Sequence, residues 1–267
     1  MDILGIPAGE LRLRDSNPGR VALRPGGVGR NVAERIVRLG TGCTLLTAFG
    51  NDTLADSLCA ACGRLGIDIS HALTADGATG TYLCLHDETG DMLSAVNDMA
   101  IMQAMTPEYA ARVMPVINGS CLCVLDANPP VETVFFVVRH AKVPVLMDPV
   151  SIAKLDRARA ALPYLAAIKP NIHEAQALTG CTAPEDCARA LVRMGAKRAF
   201  VSLGAAGICY ADAEICGTLP VKKPSAAPKT GAGDALCAGL AVAMAQGKTT
   251  LECAEYGMCC AADYLEK

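Results

Sequence analysis

Between positions 122 and 203 the chain alternates short apolar runs with amphipathic ones, and no other feature narrows its fold as much. The β-prone runs 122–125, 143–147, 165–168 and 198–203 are separated by helical patterns at 131–140, 152–161, 173–178 and 184–194. Strands joined through helices lie parallel, and such a sheet is covered on both faces. The pattern therefore predicts an α/β fold with three layers, a mostly parallel sheet between two layers of helices. With 52% hydrophobic residues in 267, one large domain spanning 1–267 can bury its own core.

The segment before position 122 has a different rhythm. A helix is expected at 31–39, closed by Gly40, then a strand at 43–49 and a helix at 54–65. The runs 79–85 and 92–96 flank a polar, glycine-ended turn at 87–90 and read as a hairpin. A hairpin has no place inside a parallel sheet, so it is assigned to a small β flap, a lid built around 10–25 and 79–98. Ligands of open α/β sheets lie beyond the carboxyl ends of the strands. Asp126, Asp148, the stretch from Lys169 to Asn171, and Gly204 all follow strands, which places them on one rim.

Composition removes several functions. Lys and Arg number 24 against 27 Asp and Glu, a net charge of −3, without the basic excess that nucleic-acid binding requires. Trp is absent and aromatics are 4%, so no stacking platform for single strands is expected. The fourteen cysteines lie mostly in apolar stretches and read as buried hydrophobes in a reducing cytoplasm. Cys59 and Cys62 form a CxxC with no second pair to complete a zinc site, and the four histidines lack ligand spacing. The first fifteen residues hold no long apolar run, and 235–245 is far shorter than the roughly 20 residues of a membrane span.

Three runs carry chemistry. Thr230-Gly231-Ala232-Gly233-Asp234 opens an apolar helix, where small residues let backbone N–H groups converge on an anion. Asp234 is read either as a residue that favours the helix dipole or as a base that takes a proton from an attacking hydroxyl. Pro25-Gly26-Gly27-Val28-Gly29-Arg30-Asn31 permits close backbone approach, and Asn31 offers an amide suited to sugar hydroxyls. A turn followed by a helix start explains the same run. Asn171 and Glu174, in Lys169-Pro170-Asn171-Ile172-His173-Glu174, sit one helical turn apart and suit either a capping box or water around Mg²⁺.

The order of GGVGRN, KPNxxE, Ser202-Leu203-Gly204-Ala205-Ala206-Gly207 and TGAGD resembles that of the PfkB (ribokinase-like) carbohydrate and nucleoside kinases across nearly the whole chain. Asp15-Ser16-Asn17-Pro18-Gly19, Asn97-Asp98-Met99 and Asp148-Pro149-Val150-Ser151 are similar to its pseudouridine kinase branch. The resemblance implies a ribokinase-like fold and transfer of the γ-phosphoryl group of ATP, with Mg²⁺, to the 5′-hydroxyl of pseudouridine. It implies that Asp234 is the base and that Gly231, Ala232 and Gly233 form the anion hole with it. Asp2, Gly27 and Asn31 would bind ribose hydroxyls, with Asn17 and Asp98 in or near the flap. Lys169, Asn171, Ser202, Gly204, Gly207 and Thr230 would border ATP, and Asn171 and Glu174 would hold Mg²⁺ through water. The expected partners are a small nucleoside or sugar and ATP, with no nucleic acid, no membrane, and a second copy of the chain in a homodimer.

The chain departs from the family pattern in three places. Pro228 and Lys229 replace the usual polar residue ahead of TGAGD. Asp2 matches an acid that relatives carry after a first strand, and relatives continue beyond the position of Lys267. Both ends are therefore expected to be trimmed. Competing functions are a kinase for another small polyol, such as ribose, fructose or an ordinary nucleoside, and a catalytically weak binding homologue.

Overall fold

A computed structural model describes residues 1–87, 91–221 and 231–266 of the chain. Its first part contains β1 (Asp2–Pro7), β2 (Gly19–Arg24), α1 (Val28–Arg38), β3 (Ala48–Phe49), α2 (Thr53–Leu65), β4 (Leu73–Thr74), β5 (Thr81–His86), β6 (Met92–Asp98) and α3 (Pro107–Asn118). Then come β7 (Cys123–Asp126), α4 (Val131–His140), β8 (Val145–Asp148), α5 (Leu155–Ala161), β9 (Ala167–Ile168), α6 (Ile172–Thr179) and α7 (Pro184–Arg193). The chain closes with β10 (Ala199–Ser202), β11 (Ile208–Ala211), β12 (Cys216–Leu219), α8 (Ala232–Ala245) and α9 (Thr250–Glu266).

The main sheet has the order β12-β11-β10-β9-β8-β7. From β7 to β10 the strands are parallel, and β10, β11 and β12 continue as antiparallel neighbours. Successive residues point to opposite faces. Leu146, Ala167, Phe200 and Ile208 pack with α1, α8 and α9, whereas Met147, Ile168, Val201 and Cys209 pack with α4 to α7. Both sets are fully buried. Each large side chain among them contributes about 1.5–3 kcal/mol. Helix α8 is apolar nearly all round because it lies between α1 and α9. Its Gly239 allows that packing, since a Cβ there would stand 2.8 Å from Gly257 Cα on α9.

The expected flap is a separate four-stranded sheet of order β2-β1-β5-β6. Its alternation sorts the side chains cleanly. Asp2, Tyr82 and Asn97 are cross-strand neighbours on one face. Val21, Leu23, Leu83 and Val96 share the other face and are exposed. The turn at 88–90 lies outside the described residues.

One expectation changes. The strand predicted at 43–49 is reduced to β3, paired in parallel with β4, and a bridge from Thr44 to Asp68. Asp2, the acid that relatives carry after a first strand, opens β1 of the flap. The reduction of 43–49 goes with a gap beside β7. Cys123 and Ala127 donate their N–H groups toward β8, so by alternation Val124 and Asp126 point theirs away from it. Opposite them, Leu45 N–H and the carbonyls of Cys43, Thr47 and Phe49 are spent on the 68–75 side, which leaves Thr44, Leu46 and Ala48 facing β7. The residues 41–49 and 120–126 form facing walls of one cavity. Only Ala48 and Phe49 keep a ladder, on the β4 side.

Candidate active site

The cavity measures about 880 Å³ and runs from this gap to the start of α8. Asp2, Gly27, Asn31, Gly231, Gly233 and Asp234 line it, so six positions scattered through the sequence meet in one place. Helix α1 begins directly after Gly27, whose φ of 97° is a left-handed conformation that glycine adopts without strain. Asp2 packs against the same run: a Cβ on Gly26 would lie within 1.9 Å of its Oδ1. Only glycine at 26 leaves room for that carboxylate.

Asp234 projects from the first turn of α8 and accepts a hydrogen bond from Asn31 Nδ2 at 2.9 Å. Arg30 in turn donates to Asn31 Oδ1 and pairs with Glu34 at 2.9 Å, so the amide is held in one orientation. Burial pushes the Asp234 carboxyl up to about 6; the Asn31 bond pulls it down and the Asp148 charge pushes it up. A carboxylate poised there is ionised at neutral pH and still basic enough to take a proton. Gly231 precedes the helix with a φ of 103°, and a Cβ there would meet the Tyr264 hydroxyl at 2.8 Å. At this end Ala235 N–H donates to the Gly231 carbonyl. The N–H groups of Ala232, Gly233 and Asp234 precede it, at the positive end of the helix dipole.

Beside this helix start lies a second group. Lys169 and Asp148 are both buried and form an ion pair at 3.1 Å. Burial by itself would lower the Lys169 ammonium, but the Asp148 carboxylate outweighs it and the net shift is upward. The Lys169 Nζ stands 3.9 Å from where a Cβ on Gly233 would be. Ser202 N–H donates to the Pro170 carbonyl, which joins the 169–174 run to the Gly204–Gly207 turn. Gly207 has a φ of 113° and leaves no space for a Cβ, which would strike the Leu219 carbonyl at 1.9 Å. Asn171 and Glu174 form a complete capping box, each side chain accepting from the other's backbone N–H at 2.9 Å. Burial raises the Glu174 carboxyl while the Asn171 N–H opposes it.

Two predicted positions fall elsewhere. Asn17 accepts from Arg12 N–H and donates to the Arg12 and Asp15 carbonyls, so it organises its own loop and does not line the cavity. Asp98 is exposed and accepts from Ala100 N–H. The residue before it, Asn97, faces the cavity instead, because neighbours along a strand point to opposite faces. Thr230, Pro228 and Lys229 lie outside the described residues. Tyr82, Asn97, Asn128 and Lys154 line the cavity without having been named as site residues from the sequence. Only the parity of the flap strands, counted from Asp2, could have found the first two. Cys62 is buried in α2 against Ala33 and Ile67, and no group of three or more His, Cys, Asp or Glu suited to a metal occurs among the described residues. No described helix is long and apolar enough to cross a membrane.

Comparison with known proteins agrees with this geometry. Residues 5–267 match the family model for pfkB family carbohydrate kinases. The chain is 36% identical to the pseudouridine kinase of Escherichia coli over 97% of its own length and 86% of the relative's. A ribokinase from Thermotoga maritima superimposes with a TM-score of 0.88 at 25% identity, covering 98% of this chain and 88% of that one. The fold is shared also with an Arabidopsis thaliana ribokinase solved with ribose and ATP, with a TM-score of 0.82, 23% identity, and coverage of 97% and 88%. The chain belongs to the PfkB family of carbohydrate kinases and is a phosphotransferase acting on an alcohol group.

Proposed function

We propose that the protein transfers the γ-phosphoryl group of ATP to the 5′-hydroxyl of pseudouridine, giving pseudouridine 5′-phosphate and ADP. The identity to the Escherichia coli pseudouridine kinase carries the choice of substrate. Tyr82 and Asn97 support it, because they continue the row from Asp2 across two more flap strands and offer polar groups to a base beyond the ribose. In this reading Asp2, Gly27 and Asn31 hold the ribose, and Asp234 takes the proton of the 5′-hydroxyl as that oxygen bonds to the γ-phosphorus. The bond from phosphorus to the ADP oxygen breaks on the opposite side. The N–H groups of Ala232, Gly233 and Asp234 stabilise the charge on the transferred group, and Lys169 adds a buried cation beside them.

ATP would lie along Lys169, Ser202, Gly204, Gly207 and Thr230. Mg²⁺ keeps most of its waters and prefers hard oxygen donors. Asn171 and Glu174 supply such oxygens, and because the capping box already engages one oxygen of each, they fit the ion through water. The ion would supply neutralisation of the phosphate charge. The flap would exclude water, which otherwise hydrolyses ATP. A homodimer is also proposed, supported by the exposed apolar face of Val21, Leu23, Leu83 and Val96; sedimentation with these four changed to Ser would test it. ADP release measured with pseudouridine, uridine, ribose and fructose tests the substrate. Faster turnover per unit KM on ribose or fructose than on pseudouridine would overturn the choice.

A further inference from the structure

Lys169 follows β9 and Asp148 ends β8, and the two strands are parallel neighbours, with Lys169 N–H donating to the Met147 carbonyl at 2.9 Å. Both carboxylate oxygens of Asp148 are engaged. Oδ1 accepts from Val150 N–H at 2.9 Å and Oδ2 from Lys169 Nζ at 3.1 Å. Val150, the donor of the first bond, itself has a φ of 68°, a left-handed conformation that a β-branched residue rarely takes. Such strain persists only where the surroundings over-determine it. The carboxylate is thus fixed from its own loop and aimed at the next strand. Its target is buried, and the ammonium it fixes lies under the first turn of α8, next to Gly233.

We propose that Asp148 is a positioning residue for phosphoryl transfer, acting through Lys169: it holds the ammonium at the point where the transferred group passes the start of α8. This rests on the kinase reading above. Left alone, a long lysine side chain has many rotamers, and an ammonium that wanders by an ångström loses much of its effect on a developing charge. Asparagine at 148 could not replace the carboxylate. Its single oxygen would serve Val150 N–H or Lys169, and its NH₂ end accepts nothing.

The test is a double-mutant cycle with Asp148→Asn, Lys169→Met and the pair together, each checked for folding by a thermal melt. The wild type is first assayed for ADP release on the four acceptors named above. Each single variant should lose about 10²-fold in kcat, the cost of misplacing a charge that acts in the transition state. The nucleoside KM should stay unmoved, which a general loosening of the site would not allow. The double variant should lose no more than the worse single one, because Asp148 has no role once its lysine is gone. If a single variant fails to fold for want of a buried counter-charge, the neutral pair still folds and must show the same low kcat. Full kcat in Asp148→Asn, losses that multiply in the double variant, or a folded double variant at the wild-type rate would each overturn the proposal. A wild type that phosphorylates nothing overturns the kinase reading and this one with it; an active wild type with an equally active Asp148→Asn overturns this one alone.

Discussion

Asn31 Nδ2 donates to Asp234 Oδ2 at 2.9 Å, a contact between residues 203 positions apart that ties the start of α1 to the start of α8. The amide is aimed by Arg30, which Glu34 holds in turn. One side chain thus lines the cavity and also lowers the basicity of the carboxyl proposed as the base.

Asp234→Asn is expected to lower kcat by about 10² to 10⁴, the usual contribution of a positioned proton acceptor, while nucleoside binding persists. The same substitution should stabilise the fold. Asp234 has its carboxyl raised from 3.8 to about 6 by burial, so the folded state binds its proton more tightly than the unfolded chain and loses stability as pH climbs through that window. Removing the charge should raise stability at pH 8 by up to about 3 kcal/mol. The gain should fade towards pH 4, which chemical denaturation at both pH values would measure. Equal turnover in the variant would remove Asp234 as the base.

The kcat profile should have an acidic limb near the Asp234 value of about 6, with activity falling below it as the base takes up a proton. The Asn31 bond lowers that value. Asn31→Ala should therefore move the limb to higher pH. A limb that stays in place under saturating substrate would mean that the bond does not tune the base.

Gly233→Val should abolish activity and leave the melting temperature nearly unchanged. Nothing lies nearer than 3.9 Å to a Cβ at 233, so the fold tolerates one, but the added methyls enter the anion cradle and approach Lys169 Nζ. Cys59→Ser and Cys62→Ser should keep their turnover under saturating Mg²⁺, because both thiols sit in α2 away from the cavity's chemistry. Activity lost at the thiols and kept at 233 would reverse this ranking.

Asn97→Ala should raise the KM for pseudouridine, and Asp98→Ala should leave it alone. The two residues are adjacent in β6, and only the first faces the cavity. Steady-state kinetics on both variants would check the parity of the flap strands directly; a larger effect at 98 would mean that the register is displaced by one residue.

The order of strands and helices from 122 to 203 was legible because each element there is a run of one character, and the boundaries moved by three residues at most. Asp126 and Asp148 were placed on one rim by the same reading, and they end neighbouring parallel strands. Other features depend on partners distant in sequence. Nothing in the run 43–49 shows that its far edge goes unpaired, and nothing in Asn97 or Asp98 says which of the two faces inward. The capping box at Asn171 and Glu174 was legible as a local pattern. The bond between Asn31 and Asp234 was not, because only the packing of α1 on α8 creates it.

The gap beside β7 leaves the main sheet with unequal security from one side to the other. Amide exchange should read this as a gradient. Phe200 and Val201, in a strand with partners on both sides, sit in the fully buried centre and should exchange only when the whole domain opens. Val124 and Asp126 point their N–H groups into the cavity, where solvent can reach them without any strand separating. Since Asp126 ends the same strand and lines the cavity, the part of the sheet that opens most readily is also the part that would face the proposed substrate.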